Sequence, residues 1–398
     1  MRGADNIKIT KQKGKPKMKR PIYTLIIAAI AITAFAFAAL TNNAQAASKG
    51  TYNNLTYEIV NSKAVITGYT KEPSGDLIIP EKIEGYKVTE IKADAFNGCL
   101  KIKSVSMPSV EYIGTGAFEF CENITKLETP NVLTVYDYAF YGCGSLTEIN
   151  LPKATMIGES AFGGWEEYPM NIKSISMPCA VSIGKYAFEF CSSLKSINLP
   201  DATTISTCAF SGCYSLTTLT LPKIRTIEEG AFYMCFDLNQ VEIPDVYVIE
   251  DGAFYSCNIQ RLDLYKVKKI GDYAFEENEN LHAAYFYCDA PTEFGDGVFH
   301  YCAGDFTIYY AKGTKGWTTP VWNEYPTKEF EHLSGLGDLN GDNKVNTADA
   351  VVVLKASAGM ITLDEQQTKS GDCNGDGTVN TADAVLILKY AAGMIYQF

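Results

Sequence analysis

The stretch Ile205-Ser206-Thr207-Cys208-Ala209-Phe210-Ser211-Gly212-Cys213-Tyr214-Ser215-Leu216-Thr217-Thr218-Leu219-Thr220-Leu221-Pro222 decides the fold, because the chain repeats it ten times with variations. Its anchor recurs as Phe96, Phe118, Phe140, Phe162, Phe188, Phe210, Phe232, Phe254, Phe275 and Phe299, at intervals of 22, 22, 22, 26, 22, 22, 22, 21 and 24 residues. One such unit is too small to bury its apolar side alone and needs a neighbour on each side. A fixed period in this range therefore means stacked coils. Five residues before each anchor stands Ile91, Ile113, Val135, Ile157, Ile183, Ile205, Ile227, Ile249, Ile270 or Phe294, an apolar column through all ten copies. Nine residues after it come Val105, Leu127, Ile149, Ile197, Leu219 or Val241, and two further on Met107, Leu151, Leu199, Leu221 or Ile243. A spacing of two marks a strand with one face buried. Pro108, Pro130, Pro152, Pro178, Pro200, Pro222 and Pro244 close that strand, as suits a residue that cannot donate to a ladder.

Carried by these columns, the unit I-G-x-x-A-F-x-x-C-x-x-L-x-x-I-x-L-P resembles the BspA-like bacterial class of leucine-rich repeats, over roughly residues 86 to 310. The resemblance implies a solenoid of short strands with an irregular or short helical convex side. Residues alternating with the buried strand positions point outward: Ser104, Lys126, Glu148, Ser174, Ser196, Thr218, Gln240 and Arg261 in one column, Ser106, Glu128, Asn150, Ser176, Asn198, Thr220, Glu242 and Asp263 in the next. Stacking is expected to place them on one continuous sheet face, either a partner surface or a merely solvated one; neither column offers an aromatic platform.

The chain has 398 residues, 46% of them hydrophobic, which excludes wholesale disorder and allows several domains. Its net charge of −12 includes eight Lys/Arg and one Asp in the first 46 residues, so removing that segment leaves −19. A chain this acidic is not expected to bind nucleic acid or anionic lipid. Residues 1–46 read as a secretory signal: a basic run from Lys11 to Arg20, an apolar run from Ile22 to Leu40, and Ala44-Gln45-Ala46 for cleavage. An uncleaved membrane anchor is the alternative. Of the twelve Cys, Cys99, Cys121, Cys143, Cys191, Cys213, Cys235, Cys257 and Cys302 share one place, three residues after the anchor, where Trp165 and Asn278 stand in the other copies. No pairing partner is demanded, so free thiols acting as small buried hydrophobes are expected, and the remaining four show no zinc-ligand spacing.

Residues 47–90 read as a β cap over the exposed first coil, with strands at Leu55–Val60, Ala64–Thr67 and Leu77–Ile79 and a turn at Pro73-Ser74-Gly75. The repeats occupy 91–310. The fourth copy carries four extra residues in Gly163-Gly164-Trp165-Glu166-Glu167-Tyr168-Pro169, which must loop out of the stack. Residues 311–335 form a C-terminal cap and linker: Thr307–Tyr310 reads as the last strand, Trp317 and Trp322 cover the open end or else stack on a sugar, and 326–336 is a polar linker.

From Asp338 the pattern changes. Residues 338–361 and 372–395 are one 24-residue segment at an offset of 34, identical at 17 positions. Each begins with an oxygen-rich loop: Asp338, Asn340, Asp342, Lys344, Asn346 and Asp349 fall at positions 1, 3, 5, 7, 9 and 12, and Asp372, Asn374, Asp376, Thr378, Asn380 and Asp383 duplicate them. Carboxylate and amide oxygens at 1, 3 and 5, a backbone carbonyl at 7 and a carboxylate at 12 suit a hard cation such as calcium, giving two ions in all. Helices are expected over Ala350–Ala356 and Ala384–Ala391, ended by Gly359 and Gly393. The helix that precedes an EF-hand loop is absent from this reading.

A calcium loop plus a following helix, present twice, resembles a type I dockerin over 336–398. That resemblance implies docking to the cohesin module of a cellulosome scaffoldin, with contacts from Thr347, Ala348, Leu354 and Lys355 or from their duplicates Thr381, Ala382, Leu388 and Lys389. Many dockerins carry a Ser-Thr pair where this chain has Thr-Ala. The fold class is thus α+β and multidomain, a leucine-rich-repeat solenoid followed by a small helical calcium-binding module. The expected function is a secreted, non-catalytic binding protein attached to a cellulosome or cell surface through its dockerin. Its repeats would present a surface to an unidentified protein or polysaccharide ligand, for adhesion, protease inhibition or regulation. A polysaccharide-degrading enzyme is the alternative, but it needs two carboxyls roughly 5–9.5 Å apart across a cleft, and no Asp or Glu pair departs from the repeat register. The three His, His282, His300 and His332, give a Ser-His or Cys-His site little to work with.

Overall fold

The computed structural model describes residues 48–330, 336–341 and 345–392. The signal segment at 1–46, Asp342, Lys344, His332 and Gly393 lie outside the described residues. The antiparallel strands Lys49–Tyr52, Leu55–Val60 and Lys63–Tyr69 open the fold, and Tyr86–Ile91 then pairs in parallel with the third. Gly75, at φ +71°, makes the turn into the strand Gly75–Ile78.

Three seams of backbone hydrogen bonds hold each coil to the next. The first runs through the Ile column: two-residue strands from Tyr112–Ile113 to Glu293–Phe294 pair in parallel, one per coil, continuing the sheet begun by the N-terminal hairpins. The second is the seam that the Ser/Thr/Asn columns predict, with strands such as Ser174–Ser176 and Thr218–Thr220. It is not continuous: its strands fall into four separate sheets. The first seam, although its strands are only two residues long, runs unbroken from coil to coil.

The third seam lies on the irregular side that the resemblance implies. No helix occurs among the described residues of the coils; turns flank each Ala-Phe pair instead. The residue two before the anchor has φ between 50° and 63° in all ten copies, and six of these are not glycine: Asp94, Tyr138, Ser160, Tyr186, Cys208 and Tyr273. A left-handed L-residue costs roughly 1–2 kcal/mol. What offsets it is visible in the bonds, because this N–H donates to the next coil, as from Tyr138 N to Glu159 O at 2.8 Å and from Cys208 N to Glu229 O at 2.9 Å. The anchor N–H does the same, from Phe96 N to Ala117 O through Phe254 N to Ala274 O, each at 2.8 Å.

Inside the coils the ten Phe rings form one unbroken stack. Neighbouring centroids lie 5.1–5.5 Å apart with planes within 17°. That spacing is close to the distance between paired strands, so the ladders set the ring separation. Beside the rings all twelve Cys are free, and those of the repeat column do more than fill space. Cys121, Cys143, Cys191, Cys213, Cys235, Cys257 and Cys302 each donate a thiol hydrogen to the carbonyl of the preceding coil's anchor, at 3.0–3.6 Å. Asn278 keeps the role with its amide, which donates to Phe254 O at 2.8 Å. Position in the stack, not hydrophobicity alone, explains why Cys and Asn interchange here.

At the C-terminal end the strands Arg261–Leu264, Ala283–Phe286, Thr307–Ala311 and Tyr325–Phe330 form a parallel run, and Val321–Trp322 folds back on the last of them. The last strand occupies residues read from the sequence as the start of the linker. Trp322 is buried, and Trp317 lies 4.6 Å from it and 4.8 Å from Phe286, closing the end of the core.

The tail has its own core of Leu339, Ala350, Val353, Cys373, Ala384 and Ile387, three duplicated pairs. Helices α1 (Thr347–Ser357) and α3 (Thr381–Ala391) start three residues earlier than the sequence suggests. Between them α2 (Glu365–Gly371) leads directly into Asp372, so the second loop has the preceding helix that the sequence reading lacked. Its signal was a capping box, Asp364 with Gln367.

Candidate calcium loops and partner face

The duplicated loops close on their twelfth residues. Asp349 and Asp383 are fully buried, a costly place for a carboxylate without partners. The Oδ1 of Asp349 accepts from the Leu339 and Asn340 amides at 3.0 and 3.1 Å, and its Oδ2 from Asn346 N at 2.9 Å. Asp383 repeats the arrangement with Cys373, Asn374 and Asn380 at 2.9, 3.2 and 2.9 Å. Each also completes a capping box with Asn346 or Asn380, whose side chain accepts from Ala348 N or Ala382 N at 2.8 Å. The twelfth position thus joins the start of its loop to the start of its helix, a role the ligand pattern alone did not reveal.

In the second loop Asp376 Oδ1 accepts from the Thr378 hydroxyl at 2.6 Å and the Thr378 amide at 2.9 Å, and Oδ2 from Asn374 Nδ2 at 2.8 Å. The Thr378 hydroxyl, then Asn374, hold the Asp376 carboxyl below its ordinary value. Asp372 Oδ2 accepts from Gly377 N at 2.9 Å, whereas Asp372 Oδ1 is buried with no hydrogen-bond partner. An orphaned, buried carboxylate oxygen is unfavourable unless a cation meets it. No group of three His, Cys, Asp or Glu converges on a metal position among the described residues. Neutral oxygens from Asn374, Thr378 and Asn380 would make up part of the predicted ligand set, and the donor chemistry is that of a hard cation. In the first loop Asp338 Oδ1 accepts from Gly341 N at 2.8 Å.

The eight residues predicted to meet a partner are all exposed, on α1 and α3 alike. Leu354 is 42% exposed and Leu388 40%, and Val351 and Val385 stand beside them at 47% and 49%. Both helices therefore present the same apolar strip with a lysine, Lys355 or Lys389, next to it.

On the solenoid, the second outward column continues past Asp263 to Tyr285 and Tyr309, aromatics that the sequence reading stopped short of. The alternation of Tyr285 between buried Ala284 and Phe286 was the available signal. The two rings stack at 4.8 Å, the Arg261 guanidinium lies 4.0 Å over Tyr285, and Lys328 stands 5.8 Å over Tyr309. Their faces are taken by each other and by cations, so they do not form an open platform for a sugar ring. His282 pairs with Asp305 and His300 with Glu324, both on the surface.

The profile of the BspA type Leucine rich repeat region (6 copies) matches residues 78–181, 167–282 and 203–311, together more than half the chain, and the protein belongs to that family. The profile of the Dockerin type I domain matches residues 336–391, so the chain ends in a type I dockerin. Among solved structures, a leucine-rich repeat protein from Bacteroides ovatus is 24% identical, with 66% of this chain and 70% of that one covered and a TM-score of 0.55. A leucine-rich repeat protein of T. pallidum is 20% identical over 52% of this chain and 89% of that one, with a TM-score of 0.40. The first likeness is one of fold. No curated protein matches the chain. Both modules are of non-catalytic kinds.

Proposed function

We propose that this protein is a secreted, non-catalytic component of a cellulosome or comparable scaffold. Its dockerin anchors it by calcium-dependent binding to a cohesin, and its repeats present an interaction surface. The observation that carries the reading is the duplicated exposed strip, Leu354 with Lys355 on α1 and Leu388 with Lys389 on α3, each beside a loop closed on a buried Asp. Asp338, Asn340, Asp342, Asn346 and Asp349, with the carbonyl of Lys344, are the proposed ligands of one calcium ion. Asp372, Asn374, Asp376, Asn380 and Asp383, with the carbonyl of Thr378, are those of the other. Because the halves are near copies, either helix pair can face the cohesin after a half-turn. Thr347 and Ala348, or Thr381 and Ala382, then contribute from the helix start.

Titration calorimetry of the full chain with a type I cohesin tests this. Leu354→Asp or Leu388→Asp alone is expected to leave binding, the two together to abolish it, and excess EDTA to abolish it in every variant. Undiminished binding in the double variant or in EDTA would refute the reading. Turnover of plant-wall polysaccharide by the purified chain would refute the non-catalytic part.

A further inference from the structure

The four-residue insertion in the fourth coil builds a surface that the repeats do not otherwise have. Gly163 and Gly164 stay buried, Trp165 and Tyr168 bridge each other, and Glu166 and Glu167 project at the tip. The Trp165 ring stacks on Tyr141 at 5.7 Å and lies 5.1 Å from Tyr168 and 6.1 Å, edge-on, from Phe120. Tyr138 extends the cluster, edge-on to Tyr141 at 5.7 Å. These rings are not sealed: Phe120 is 38% exposed, Tyr138 36% and Tyr168 68%.

Around them carboxylates predominate. Glu166 and Glu167 flank Trp165, Glu159 accepts from the Tyr138 hydroxyl at 3.1 Å, and Glu119 accepts from Asn97 Nδ2 at 2.9 Å. Burial first, then Glu189 and Glu119, push the Tyr141 hydroxyl up. Among the described residues none of these carboxylates has an ion-pair partner, and no Lys or Arg lies over any ring of the cluster. Lys185, one coil on from Glu159, is exposed and forms an ion pair with none of these carboxylates. The strand face differs, for there Arg261 and Lys328 lie over Tyr285 and Tyr309.

We propose that the aromatic, carboxylate-rimmed bulge at Trp165 and Tyr168 is a docking site for a lysine- or arginine-bearing loop of a second protein. A ring face attracts a cation through its quadrupole, and carboxylates at the rim add Coulomb attraction and orient the guanidinium or ammonium. The partner supplies here the contact that the chain's own cations supply on the strand face. This site is separate from the dockerin and does not depend on the cohesin reading.

The test uses the full chain and a fluorescein-labelled Gly-Arg-Gly-Arg-Gly-Arg-Gly peptide, read by anisotropy at physiological ionic strength, where distant surface charges are screened. Saturable binding is expected, weakened at least fivefold by Tyr168→Ala and by Glu166→Gln with Glu167→Gln. The strand-face pair Glu148→Gln with Glu242→Gln removes the same charge elsewhere and is expected to leave it unchanged. Equal weakening by the strand-face pair would reduce the effect to general acidity and overturn the proposal. So would no saturable binding, or binding of a neutral cello-oligosaccharide lost on Tyr168→Ala, which would make the bulge a sugar site. Cohesin affinity is expected to be the same in all variants, and far-UV circular dichroism checks that each folds.

Discussion

Replacing Phe210 with Ala removes one link from the middle of the aromatic stack. The ring is fully buried and lies between Phe188 at 5.3 Å and Phe232 at 5.4 Å, with planes within 9° of both. A buried Phe→Ala change costs about 3–5 kcal/mol through lost transfer energy and the cavity left behind. The two ring contacts account for about 0.5–1.5 kcal/mol each within that. Phe210→Leu keeps most of the apolar burial and removes only the ring contacts, so it is expected to cost about 1–3 kcal/mol. Chemical and thermal denaturation of the full chain measure both, and at roughly 2–4 °C per kcal/mol for large domains the Ala variant loses about 6–20 °C. Coils touch only their neighbours, so the same lesion is expected to broaden or split the transition as the two halves uncouple. A loss under about 1 kcal/mol, or Leu as damaging as Ala, would refute the stacked core as the source of stability.

Two further outcomes follow from the coils. Only the thiolate reacts, and burial pushes the Cys121 and Cys302 thiols up to about 12 and raises Cys143, Cys191 and Cys235 as well, while Cys179 is exposed. Native protein at pH 8 is therefore expected to label fast with iodoacetamide at Cys179, and the column thiols only on unfolding, as peptide mapping would show. Burial also raises the Glu189 carboxyl from 4.5 to about 7. The fold favours its neutral form, so its contribution to stability is full below about pH 4.5 and lost as pH rises through 7. Glu189→Gln is expected to stabilise the chain at pH 8 and flatten the stability profile between those values; a steeper profile would contradict the assignment.

The Phe register, the ten coils and the calcium-type loops were legible because each repeats its own evidence: one misread residue among ten aligned copies changes nothing. Less could be read where a residue's role depends on the adjacent coil. Tyr138, Tyr186 and Tyr273 hold left-handed corners that their residue type argues against, since only the hydrogen bond to the next coil offsets the strain. The Cys column reads as small hydrophobes from composition and becomes a row of donors only when the preceding Phe carbonyl stands within 3.6 Å. Helix α2 and the strand Tyr325–Phe330 are short and weakly patterned, and they form against partners far off in sequence or at the end of a stack.

Sequence by itself determined that this chain stacks, roughly where the stack begins and ends, and that two oxygen-rich loops follow it, because periodicity and ligand spacing are properties of neighbours along the chain. Tertiary structure alone decided which seam of hydrogen bonds is continuous, that Asp349 and Asp383 are buried loop organisers, and that Tyr285 and Tyr309 are covered by cations while the rings around Trp165 are not. The seam and the ring contacts depend on residues about one coil apart, some 22 positions along the chain but about 5 Å away in space, and the two Asp contacts on a loop closing over as many as ten residues, and no linear pattern encodes those distances.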